Sequence, residues 1–101
     1  MAKLSSINNN MKRKAMIANK KATRMALKQE IMNKDTTFER RIELVHKMAE
    51  MPRNSSAIRY RNRCELSGRS RGYYRKFKIS RIALRDLGSI GMLPGVVKSS
   101  W

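Results

Sequence analysis

The chain has 101 residues with 24 Lys and Arg against seven Asp and Glu, a formal net charge of +17, one His and one Cys. That length permits one domain with a modest core. Leu, Ile, Val and Phe together supply only twenty residues, a composition at the border of chains that stay disordered alone. A lone Cys64 excludes an intramolecular disulfide and fits a reducing compartment. No apolar run approaches the roughly 18 residues of a membrane span, and no signal-peptide segment follows the first residue. One thiol, one imidazole and scattered acids form no catalytic constellation, and no Gly-rich phosphate loop precedes a Lys and a hydroxyl, so neither an enzyme nor a cofactor is expected.

Met11, Ala15, Ala18, Ala22, Met25 and Met32 recur at helical spacing, which predicts a helix over 11–32 with these residues as its packed stripe. Its other faces carry Lys12, Arg13, Lys14, Lys20, Lys21, Arg24 and Lys28. Like charges four residues apart repel, so this helix calls for an anion beside it. The first 29 residues contain no acid. They resemble a mitochondrial transit peptide in composition, and they also read as an amphipathic helix of the mature protein. Thr36 with Glu39 makes a capping-box pattern, and Phe38, Ile42, Val45 and Ala49 continue the period to Pro52, predicting a second helix over about 37–50. His46 stands alone on it, with no other ligand at metal spacing, and reads as structural or solvent-facing.

From Pro52 to Ser56 the chemistry is that of a turn. The apolar period then shortens to two. Ile58, Tyr60 and Cys64 alternate with Arg59, Arg61 and Arg63, and in an extended strand those guanidiniums would stand about 6.6 Å apart in a row able to follow a sugar-phosphate backbone. An edge strand guarded by charge is the alternative. Ser67–Gly72 reads as a basic loop carrying Arg69 and Arg71. Next come Tyr73, Tyr74, Arg75, Lys76 and Phe77, with Ser80 as the cap of a short helix bearing Arg81 and Arg85 and ending near Gly88 and Gly91. Lys98 lies in an irregular tail, and Trp101 reads as docked, since a free end gains nothing from an indole.

The two halves differ in their cations. Residues 1–51 hold twelve, eight of them Lys, with five acids; residues 52–101 hold twelve, nine of them Arg, with two acids. Guanidinium forks suit bidentate and stacked contacts, so recognition of a polynucleotide should concentrate after Pro52, with Arg53 and the arginines from Arg59 to Arg85 as its contacts. The expected division is a basic helical arm over 1–51 and an Arg-rich module over 52–101. The fold class is mainly α with irregular extended segments.

Pro52-Arg53-Asn54-Ser55-Ser56, Arg61-Asn62-Arg63-Cys64, Ser67-Gly68-Arg69-Ser70-Arg71-Gly72, Tyr74-Arg75-Lys76-Phe77, Ser80-Arg81-Ile82 and Lys98-Ser99-Ser100-Trp101 together resemble small-subunit ribosomal protein fourteen, in its bacterial or organellar form, over nearly the whole chain. The resemblance implies a structural constituent of the small ribosomal subunit. It would bind 16S-type rRNA in the subunit head and be needed for assembly and for rRNA conformation near the A site. Implied neighbours are small-subunit proteins three, ten and nineteen, with no membrane and no homo-oligomer. The location would be the ribosome, in the bacterial cytoplasm or in an organelle. Some members of that family bind zinc through two Cys-x-x-Cys pairs whose equivalents here are Cys64, Ser67, Ser80 and Ala83. The resemblance therefore implies the zinc-free branch, a degenerate zinc-ribbon-like module without metal, in which Leu66, Phe77, Ile79, Ile82 and Ala83 tie the ribbon. Outside the resemblance, a generic DNA- or RNA-binding basic protein and a cationic membrane-surface protein are the competing readings.

Overall fold

In the computed structural model, residues 2–99 are described. Among them the chain is mainly helical, with helices α1 (Leu4–Met32), α2 (Phe38–Glu50) and α3 (Arg81–Ser89), two 3-10 turns at Arg53–Ser55 and Ala57–Arg59, and a two-stranded antiparallel sheet of β1 (Tyr73–Tyr74) and β2 (Ile79–Ser80). It divides into two compact units, one made of residues 1–8 with 61–101 and the other of residues 9–60. Trp101 lies outside the described residues.

In the unit of residues 9–60, α1 is built from Ala, Lys, Met and Leu, all strong helix formers. It starts seven residues before the predicted boundary, and its packed face is also not the predicted one. Met11, Ala15, Ala18, Ala22, Met25 and Met32 are all exposed. The less exposed positions are Arg13, Met16, Ile17, Arg24, Leu27 and Ile31, with Asn10 buried. The period is retained but the face is turned by one residue. Ile17, Leu27 and Ile31 outweigh an Ala and Met stripe because burying a branched side chain removes more apolar surface from water.

A five-residue loop returns the chain into α2. Thr37, one residue later than the expected Thr36, caps α2 by accepting from the Arg40 backbone N–H at 3.4 Å. Thr36 instead closes the preceding helix, its hydroxyl donating to the Glu30 carbonyl at 2.8 Å. Arg41 donates to the Asn33 carbonyl at 3.0 Å and Arg40 pairs with Glu30 at 3.2 Å, so the loop is tied from both sides. Leu44, 1% exposed, is the most deeply buried apolar residue described. Beyond α2, Ser55 is also 1% exposed and accepts a hydrogen bond from Arg24 Nη1 at 2.9 Å, fixing the returning chain to α1.

The other unit is framed by short backbone bonds in place of a large core. Cys64 N–H donates to the Arg69 carbonyl at 2.9 Å and Gly68 N–H to the Cys64 carbonyl at 2.9 Å, closing a knuckle. Glu65 N–H reaches the Lys78 carbonyl at 3.1 Å and Arg81 N–H the Gly72 carbonyl at 2.6 Å, which lashes the knuckle and α3 to the hairpin. The hairpin turns at Lys78, whose φ of +57° is left-handed. Two residues per strand are too few to stand alone. Cys64 and Ile79 are the buried apolar residues here, 3% and 6% exposed. Of the five residues expected to tie a ribbon, Ile79 is buried, Leu66 and Ile82 are exposed at 65% and 46%, and Phe77 and Ala83 are half-buried. The start of α1 also contributes, because Ile7 and Ala2 pack against Gly68.

Candidate nucleic-acid interface

The expected strand from Ile58 to Cys64 is not formed. Ala57–Arg59 closes a 3-10 turn, with the Tyr60 N–H donating to the Ala57 carbonyl, so Arg59 does not extend a row with Arg61 and Arg63. The period-two pattern lost because a turn can satisfy these backbone groups locally, whereas a strand would need a partner edge.

The other arginines of this segment are arranged by the knuckle. Arg61 Nε donates to the Ser70 carbonyl at 3.1 Å and Arg63 Nη1 to the Gly68 carbonyl at 3.0 Å, while Arg69 Nε donates to the Arg71 carbonyl at 3.2 Å. The Arg63 and Arg69 guanidiniums have five donors each, so a single backbone bond orients them without exhausting them. Arg63 Nε is buried with no acceptor among the described residues. Arg63 and Arg69 share the lining of an open cleft of about 470 Å³ with Ser67, Ser70, Ser80 and Asp86. Arg71 is exposed on the loop, Arg75 and Lys76 are exposed in the hairpin turn, and Arg81 and Arg85 are exposed on α3. Lys76 Nζ lies 5.7 Å from the centroid of the Phe77 ring, within cation–π range.

The remaining candidates fall elsewhere. Lys12, Lys14, Lys20, Lys21 and Lys28 are exposed on α1, with Arg13 and Arg24 less so; Arg53 is exposed in the first 3-10 turn and Lys98 in the tail. Ion pairs recorded among the described residues join Arg40 to Glu30 and to Glu43, at 3.2 and 3.1 Å. Neither involves a candidate. The Arg24 to Ser55 and Ile7 to Gly68 contacts were not foreseen, since residues 31 and 61 apart leave no periodic trace.

Cys64, Ser67, Ser80 and Ala83 are brought together. Ser67 N–H donates to Cys64 Sγ at 3.4 Å, and Ser80 Oγ accepts from the Ala83 N–H at 3.3 Å in capping α3. Burial pushes the Cys64 thiol up, but hydrogen bonds from Ser67, Ser80 and Leu66 to the sulfur outweigh it and bring the pKa down to about 6. Such donors stabilise a thiolate. The donor set does not fit zinc, which takes four thiolate or imidazole ligands at a structural site. Here one thiol faces two hydroxyls and a methyl.

The ribosomal protein S14p/S29e family model matches residues 47–100. Over all 101 residues, and over the full length of each relative, the chain is 60% identical to the small ribosomal subunit protein uS14 of Nitrobacter hamburgensis, 55% to that of Roseobacter denitrificans and 54% to that of Sinorhizobium medicae. The class is thereby defined as a ribosomal protein, a structural and non-enzymatic constituent of the small subunit. Within that class, the chain belongs to the S14p/S29e family and is of the bacterial type.

Proposed function

We propose that this chain binds 16S-type rRNA in the head of the small subunit through the arginines from Arg53 to Arg85, with the α1 cations and Lys98 adding phosphate contacts. The observation that carries this reading is the mounting of Arg61, Arg63 and Arg69 on carbonyls of the Gly68–Arg71 loop. Their positive charge is held in place on a chain of net charge +17. Phosphates lower the self-repulsion of such a chain and release counterions on binding, so folding and binding reinforce one another.

The mechanism is positional. Basic groups neutralise phosphates where rRNA helices converge, and the ordered chain fixes that junction, which serves subunit assembly and rRNA conformation at the A site. Residues 1–51 act as a basic arm and residues 52–101 as the recognition module, a zinc-free relative of a zinc ribbon. Small-subunit proteins three, ten and nineteen are its neighbours, and the bacterial cytoplasm is its compartment. Family membership and the loss of three of the four ligand positions support these assignments.

The test is the salt dependence of binding to small-subunit rRNA by the chain with Arg71→Gln and Arg75→Gln. Both side chains are exposed, and neither donates a hydrogen bond among the described residues. The slope of log K against log salt should become shallower by about 0.7–0.9 for each phosphate contact removed. An unchanged slope would remove both from the interface.

A further inference from the structure

We propose that a cleft between α1 and the Ser55–Ile58 segment holds a single unstacked nucleotide of the bound RNA, with its base on an apolar floor and its phosphate on the α1 lysines. The inference rests on the rRNA reading above and adds a site to it. The cleft is open, about 370 Å³ in volume, and formed within residues 9–60. That volume lies in the ordinary range of small-ligand sites, about 300–1,000 Å³.

Three features point to a nucleotide. Lys21, Arg24 and Lys28 lie on one face of α1, at spacings of three and four, and all three line the cleft, while among the described residues no carboxylate does. Met25, Met48 and Ile58 supply apolar surface between and opposite them. Ile58 is 91% exposed and Met25 53% exposed, a costly arrangement for large apolar side chains unless something flat and apolar covers them. A nucleotide joins an apolar-faced ring to an anion within one residue, which is the combination this wall presents. The wall is also built to stay in place. Arg24 is fixed by its 2.9 Å bond to the buried Ser55, which holds the Ile58 turn beside α1 while the remaining guanidinium donors stay available.

Two measurements on the full chain assembled with small-subunit rRNA test the site. Ile58→Ser changes an exposed side chain and leaves the Arg24 to Ser55 tie in place, so the fold survives it. Ile58→Ser should weaken rRNA binding about tenfold with the salt slope unchanged, because the lost contact is apolar. Lys21→Gln with Lys28→Gln should instead make the slope shallower. Irradiation of 4-thiouridine-substituted rRNA bound to the chain should attach nucleotide to peptides containing Met25 or Ile58. Normal binding by Ile58→Ser, with crosslinks confined to residues 61–85, would overturn the cleft and leave the rRNA reading standing. In whole small subunits, a photoreactive residue placed at position 58 that crosslinks to another ribosomal protein and not to rRNA would overturn the nucleotide as occupant. Failure of the unaltered chain to bind small-subunit rRNA would overturn the underlying reading itself.

Discussion

Cys64 shows how much one residue's position can hide from a linear reading. Its identity marks it as a small packed residue, and it is indeed 3% exposed. That its sulfur accepts from Ser67, Ser80 and Leu66 follows from the knuckle and the hairpin, which no spacing in the sequence displays. The thiol's pKa falls from an ordinary 9.0 to about 6 on folding. Because the folded value lies below the unfolded one, its ionisation stabilises the fold fully above about pH 9, and that contribution is lost as pH falls through about 6. The stability difference between the chain and Cys64→Ser should therefore grow from pH 6 to pH 9, and thiolate absorbance near 240 nm should rise with a midpoint near 6. A midpoint above 8 would contradict the arrangement. Gly68 is constrained on two counts, by a φ of +73° and by Ile7, whose Cδ1 would lie 2.6 Å from an added Cβ. Gly68→Ala should cost about 1–3 kcal/mol in thermal unfolding, from left-handed strain and overpacking together. A change under about 0.5 kcal/mol would mean that Ile7 does not close the knuckle.

At the scale of elements, existence and type were legible where local chemistry decides them. Ser80 caps α3 as its sequence context implies, and Gly91, at φ +74°, ends the helix with the Met92 N–H on the Leu87 carbonyl and the Gly91 N–H on the Gly88 carbonyl. These bonds form a Schellman motif, which needs only a glycine in the right place. The face of α1 was misread, because Ala and Met mark a period without marking which side has the larger surface to bury. Leu44→Ala should therefore lower stability by about 2–5 kcal/mol. Met32→Ala, at a residue 71% exposed, should shift it by no more than about 0.5 kcal/mol. Equal losses at the two sites in denaturant unfolding would restore the Met stripe as a core. The arginine row failed for a related reason. Alternation of Arg with apolar residues describes a strand only where a neighbouring edge exists, and Ala57–Arg59 found its hydrogen bonds in a turn.

For the whole molecule, charge and composition carried the most reliable information. A net charge of +17 on 101 residues, with Leu44, Cys64 and Ile79 as the buried apolar residues among those described, leaves little to oppose self-repulsion except a polyanion. The class of partner was therefore legible from the sequence, as was the gathering of arginines after Pro52. Which arginines the fold would orient was not, since that depends on carbonyls of a knuckle whose closure joins Cys64 to Arg69, Glu65 to Lys78 and Gly72 to Arg81. The central claim is that this chain is held in the small subunit by rRNA. It is tested most directly by sedimenting ribosomal fractions from cells carrying the tagged chain, with a high-salt wash and a parallel RNase-treated sample. Retention at one copy per small subunit, abolished by RNase, is the predicted result. Release into the soluble fraction at moderate salt, from subunits otherwise complete, would contradict it.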